Sequence, residues 1–195
     1  LLWFRRDLRL SDHPALTAAV KTGRPIVPVF LRDSLVDGLG AAPKWRLGLG
    51  VGCLADSLQD KGSNLILCSG DALEQLQKLI DETGAEAVYW MRAYDPQSVE
   101  RDTAVKETLK EQGVEARSFA GHLMFEPWTV ETKQGGFYKV YTPFWNAVKT
   151  RDVAEPLAAP GEIKAPGRWP DSETLDDWRL SAAMDRGADV VRPFV

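Results

Sequence analysis

Two clusters in this sequence combine residue types that could hold a ligand or shift charge. The first is Arg5-Arg6-Asp7-Leu8-Arg9-Leu10-Ser11-Asp12-His13-Pro14, directly after the apolar run Leu1-Leu2-Trp3-Phe4. Between Arg5 and Arg9, three arginines stand against one aspartate. Either these charges pair among themselves and fix the loop, or part of the positive charge is left for a partner rich in acceptors. The loop has no glycine, so it is not the dinucleotide fingerprint, whose glycines let the backbone approach a pyrophosphate. The second cluster is Trp90-Met91-Arg92-Ala93-Tyr94-Asp95-Pro96. Asp95 and Pro96 suit the N-cap and first position of a helix. Arg92 and Tyr94 add a guanidinium and an aromatic face that can stack on a planar heterocycle, while a carboxylate accepts from its ring N–H groups.

A third stretch, Gly48-Leu49-Gly50-Val51-Gly52, looks like a phosphate-cradling loop but follows no buried strand. Trp45, Leu47, Leu54 and Leu58 make Lys44 to Asp60 amphipathic. The spacing predicts a helix packed closely on a sheet, softened by interior glycines at about 1 kcal/mol each relative to alanine. His13 and His122 have no partners at metal-ligand spacing, and no G-x-S-x-G nucleophile motif occurs. Trp3, Trp90, Trp128 and Trp145 fall in strand or helix patterns and read as core. Nothing here reads as an enzyme sufficient in itself.

The elements that must position these clusters follow from length and periodicity. A chain of 195 residues, 44% hydrophobic and 27% charged, is expected to form one ordinary core. Lys+Arg of 24 against Asp+Glu of 28 gives a net charge of −4, which excludes a broad basic surface for nucleic acid. Cys53 and Cys68 lie in apolar stretches and are expected as buried thiols in a reducing cytoplasm. No signal peptide or transmembrane run is visible, and the start inside an apolar run reads as a trimmed fragment, expected to be monomeric.

Strands are expected at Leu1 to Phe4, Ile26 to Leu31, Asn64 to Cys68, Ala87 to Trp90 and Glu115 to Phe119. Helices are expected at Asp12 to Thr22, Lys44 to Asp60, Asp71 to Thr83 and Asp95 to Gln112, the last with Val99, Val105 and Leu109 inward. The alternation predicts a doubly wound, five-stranded parallel α/β sheet, Rossmann-like, with ligands at the carboxyl ends of its strands. Beyond it, Thr129 to Tyr141 suggests a hairpin around Gly135-Gly136, and Thr142 to Arg151 a short helix. The prolines at 156, 160, 166 and 170 predict an extended linker, and Ser172 to Arg186 a weaker helix. The division expected is 1–128 for the α/β domain and 129–195 for hairpin, helix and linker.

The opening W-F-R-R-D-L-R-L-S-D-H-P-A-L resembles the amino-terminal signature of the DNA photolyase and cryptochrome family, in which Asn more commonly stands at the position of His13. P-V-F-L-R-D at 28–33, G-S-N-L-I-L-C-S-G-D at 62–71, A-V-Y-W-M-R-A-Y-D-P ending at Pro96 with R-D at 101–102, and Y-K-V-Y-T-P-F-W at 138–145 extend the likeness in order. The form looks like bacterial photolyases that split cyclobutane pyrimidine dimers, with a cryptochrome-type photoreceptor as the alternative.

The resemblance implies an α/β domain that binds a light-harvesting antenna chromophore and docks on a helical domain of the same chain. That helical domain would hold FAD and the damaged DNA. Photoexcited reduced FAD would donate an electron to the dimer, and the electron would return after the ring splits. The helical motifs that hold flavin are not in these residues. Members of the family use a reduced folate, a deazaflavin, FMN or no antenna. Asp95 matches the carboxylate that binds the pterin in the folate type, and Ala93 departs from the acidic residue of the deazaflavin type, so a reduced folate is favoured. The cofactor-binding residues expected are Asp95, Tyr94, Arg92, Arg6, Asp7 and Arg46, the last where some members contact an antenna.

Overall fold

Short apolar runs too brief for helices make the strands, and capped amphipathic stretches between them make the helices. The computed structural model describes residues 1–184 and 187–194. β1 (Leu2–Phe4), β2 (Pro28–Arg32), β3 (Ile66–Ser69), β4 (Ala87–Met91) and β5 (Glu115–Phe119) form one sheet in the order β3-β2-β1-β4-β5. All neighbours pair in parallel, with Trp3 opposite both Val29 and Trp90. Alternation along the strands sends Leu2, Phe4, Phe30 and Met91 to one face and Trp3, Val29, Leu31 and Trp90 to the other. The first face is covered by α1 (Pro14–Lys21) and α3 (Ala41–Gln59), the second by α4 (Ala72–Thr83) and α5 (Pro96–Glu111). This is the doubly wound α/β architecture expected from the alternation.

The helix boundaries follow their caps. Asp71 accepts from Leu73 N and Glu74 N, and Gly84 closes α4 in the left-handed region at φ +66°. α1 is capped by His13 rather than Asp12: His13 Nδ1 accepts from Leu16 N at 3.0 Å. An accepting Nδ1 puts the proton on Nε2, which donates to Asp7 Oδ2 at 2.8 Å, with both side chains fully buried. A helix absent from the sequence reading, α2 (Ser34–Asp37), is a single turn capped by Asp33.

Four expectations are corrected. Val99 is exposed, because the inward stripe of α5 is Ser98, Val105 and Leu109, and seven residues, not six, bring a helix face round to Val105. Cys53 is exposed, on the side of α3 away from Val51, Leu54 and Leu58, while Cys68 is buried with its thiol pushed up to about 11 by burial and by the charge of Glu173. Thr129 to Tyr141 forms no strand ladder. Gly135 N donates to Thr132 O and Thr132 N to Gly136 O, a closed turn whose flanks have no sheet to bury against. Ser172 to Arg186 holds only 3₁₀ turns at Asp176–Trp178 and Ala182–Met184, and Arg186 lies outside the described residues.

After α6 (Tyr141–Val148), residues 156–180 run as an irregular strap over the domain. Ile163, Trp178 and Leu180 enter the core beside Phe30 and Leu54. The glycines of α3 serve this strap more than the sheet: a Cβ on Gly48 would meet Leu180, on Gly52 Leu175, and on Gly50 would come within 2.8 Å of Leu8. Along the edge strand β3, Leu67 N donates to Ser172 Oγ and Glu173 N donates to Leu67 O. Ser69 N and Oγ both donate to the Glu173 carboxylate. The strap thereby occupies hydrogen-bonding groups that an edge strand otherwise leaves open. No helix among the described residues is long and apolar enough to cross a membrane.

Candidate functional site

In a doubly wound sheet the crevice lies where the strand order reverses, here between the carboxyl ends of β1 and β4. A cavity of about 310 Å3 opens beside that point. Trp3, Phe30 and Leu31 form its floor, and Leu35, Val36, Leu39 and Leu47, from α2, the turn after it and α3, form an apolar wall. Facing that wall are Arg5 and Arg6 from the loop after β1, Tyr94 and Asp95 from the loop after β4, and His122.

The floor is fixed by a charge network that ties three segments together. Arg5 Nη1 and Arg101 Nη2 both bind the Asp102 carboxylate, and Arg101 Nη1 binds Asp33, the cap of α2. Both guanidinia stand over the Trp3 ring, at 4.9 Å for Arg5 and 4.7 Å for Arg101. All four charged side chains are largely withdrawn from water, so each depends on the others.

Of the expected site residues, the structure brings Arg6, Tyr94 and Asp95 to the cavity. Asp95 Oδ1 accepts from Ser98 N at 3.0 Å, so Asp95 caps α5 while also lining the cavity. Burial raises its pKa, but the Ser98 hydrogen bonds and the charge of Arg6 outweigh this and hold the carboxyl below its usual range. Tyr94 Oη donates to Glu126 at 2.7 Å, and burial with that carboxylate pushes the phenol up to about 12. Its ring is thus held in place with a proton on the oxygen at neutral pH. Arg6 has no carboxylate partner among the described residues, whereas Arg9 donates to the carbonyls of Asp12 and Gly121.

Asp7, Arg92 and Arg46 do not reach the cavity. Asp7 is buried, accepting from His13 Nε2 and Arg5 N. Desolvation raises its pKa, but the hydrogen bond from His13 and the Arg5 amide and charge outweigh it, and the pKa is lowered. Arg92 turns away to pair with Glu126 at 3.0 Å and stands 5.1 Å over the Trp128 ring. Arg46 is exposed on α3, pointing from the side that carries Leu47 toward solvent. Sequence reading missed Asp33, Arg101, Glu126 and His122. The Arg101-Asp102 pair was visible as a motif, but nothing local linked it to Asp33, 68 residues away.

A second surface departs from expectation. Trp128 is 57% exposed and Trp145 47%, not core. Phe137, Val140 and Tyr141 are exposed as well, and on α6 the rings of Tyr141 and Trp145 stack on each other. Such a run of large exposed apolar residues is unusual for a surface facing only water. Among the described residues no group of His, Cys, Asp and Glu is arranged to hold a metal ion.

Comparison with known proteins gives a consistent result. Residues 1–161 match the family model described as DNA photolyase. A deoxyribodipyrimidine photo-lyase of Agrobacterium fabrum is 46% identical over 181 residues, covering 92% of this chain and 38% of the relative. Cryptochrome-1 of Arabidopsis thaliana is 35% identical over 169 residues, covering 84% of this chain and 25% of the relative. The crystal structure of a bacterial class III photolyase from Agrobacterium tumefaciens superposes with a TM-score of 0.88 at 45% identity, over 92% of this chain and 37% of that one. The chain therefore spans less than half the length of each of these three relatives.

Proposed function

The chain belongs to the DNA photolyase family, and from that premise we propose that it is the antenna-binding α/β part of a deoxyribodipyrimidine photolyase, which splits cyclobutane pyrimidine dimers in DNA under light. The higher identity to a photolyase than to a cryptochrome, 46% against 35%, favours repair over signalling. FAD and the damaged DNA would be bound by a helical domain outside these residues, and the exposed aromatic surface around Trp128, Tyr141 and Trp145 is the face we assign to docking it. Both cysteines are free, as suits a reducing cytoplasm.

The observation that carries the antenna reading is the carboxyl-edge cavity, where Arg6, Tyr94 and Asp95 converge opposite an apolar wall. Its volume lies at the lower end of the range for small-molecule pockets, about 300–1,000 Å3, room for a two- or three-ring heterocycle rather than a whole dinucleotide. A chromophore bound there would supply light absorption and pass the excitation on to FAD. The chain's own residues do the holding. The apolar wall takes one face of a planar ring, the Asp95 carboxylate accepts from a ring N–H, and Arg6 attracts an anionic tail. A reduced folate fits this arrangement, and a deazaflavin or FMN is the other candidate chemistry.

The test separates binding from capping. Asn caps a helix as well as Asp. In the full-length protein, Asp95→Asn should therefore keep thermal stability while losing most of its folate content. Unchanged folate in that variant would overturn the assignment of a reduced folate to this cavity.

A further inference from the structure

Trp3 is among the residues lining the cavity although it is only 1% exposed, and a buried indole beside a site is a good one-electron donor to an excited aromatic molecule. For a light-harvesting site that is a liability, because each transfer from Trp3 would discharge the excitation before it could be passed on. The floor beneath the cavity is built in a way that opposes it. Two guanidinia, of Arg5 and Arg101, are the charges in direct contact with the Trp3 ring. Asp102 and Asp33 pair with the same two guanidinia, balance their formal charge and fix their positions, while the guanidinia are the groups that stand over the ring. Trp3 Nε1 is buried without a hydrogen-bond partner among the described residues, as is Nε1 of Trp90, whose ring lies 5.9 Å away.

We propose that Arg5 and Arg101 shield a bound chromophore from quenching by making Trp3 a poor electron donor; this rests on the antenna reading above. The step suppressed is fully specified. One electron would leave the Trp3 ring for the excited chromophore, which is reduced by that electron, and Trp3 would remain as a radical cation. Two fixed cations beside the ring disfavour that new positive charge. The radical cation cannot relieve it by losing its Nε1 proton, since no acceptor faces that nitrogen. Trp90, opposite Trp3 on the next strand, also has an Nε1 without a partner among the described residues, so it too has no acceptor for that proton. Arg5 and Arg101 also line the cavity, and their effect on the excited state runs through Trp3.

The experiment measures fluorescence lifetime of 5,10-methenyltetrahydrofolate, and of FMN as a second probe, bound to this chain. Trp3→Phe should leave the lifetime as in the original protein, because the indole is already silenced. Arg101→Met keeps an apolar stem over the ring but removes the charge and should shorten the lifetime severalfold; Arg101→Lys should restore it, as should Trp3→Phe in the Arg101→Met background. A longer lifetime in Trp3→Phe alone, or no shortening in folded Arg101→Met, overturns the proposal. An unloaded readout separates it from the antenna reading. A diffusible photo-oxidant should modify Trp3 in Arg101→Met but not in the original chain or Arg101→Lys, scored by mass spectrometry. That difference without binding of either probe would sink the antenna reading alone, while equal modification in all variants sinks the shield.

Discussion

At the amino edge of the sheet a groove of about 790 Å3 opens between Arg24, Glu86, Glu115 and the strap at 166–170, more than twice the 310 Å3 of the cavity at the carboxyl edge. The larger hollow is the less constructed. Its Arg24–Glu86 ion pair is mostly in water, with side chains 64% and 71% exposed, whereas the Arg101–Asp33 pair at the other edge is 17% and 6% exposed. Charges left in water are free to rearrange, and they hold nothing in register. Charges withdrawn from it must be held by partners, and those partners fix an indole, a helix cap and a cavity wall at once.

The difference can be broken at its strongest point first. Arg101→Met should destabilise the chain by about 3–5 kcal/mol, because Asp33 is left without its cation and Asp102 keeps only Arg5. Chemical denaturation read by tryptophan fluorescence measures this, and a loss below 1 kcal/mol would put the two edges on the same footing.

The buried Asp7–His13 pair behind the same loop should respond to acid. Asp7 has a lowered pKa in the folded chain. Its contribution is therefore complete above the ordinary carboxylate pKa of about 4 and is lost as pH falls through the lower folded value. Asp7→Asn should cost about 1–3 kcal/mol at pH 7, and the gap to the original protein should close below about pH 4. Parallel stability curves across that range would show that the carboxylate charge contributes nothing there.

Arg24→Ala, at the amino edge, should change stability by about 0–1 kcal/mol and lose even that in high salt. A larger, salt-insensitive loss would mean that the groove is built after all.

Elements whose signal is local were legible in the sequence. Asp71, Glu74 and Gly84 mark both ends of α4 without reference to the rest of the chain, and the alternation of short apolar runs with such helices implies the parallel sheet. The site was legible only where it coincides with a strand end, as at Arg6, Tyr94 and Asp95. Its apolar wall was not, because α2 is a single turn whose existence depends on Asp33, and Asp33 depends on Arg101 from another helix. Trp128 and Trp145 failed for the converse reason. Their spacing suits burial, but nothing among the described residues buries them.

The strap that masks β3 has a consequence for the order in which the chain can be finished. Leu67 and the Ser172 hydroxyl that occupies its amide are 105 residues apart. At roughly 5–20 residues per second of synthesis, the edge of β3 stands uncovered for about 5–20 s after it has left the ribosome. If strands β1 to β3 pair during synthesis, their β3 margin stays open until the strap is made. Crowding of adjacent ribosomes on one message would put two such margins side by side, and slowing translation between β5 and the strap would lengthen the interval in which they can pair.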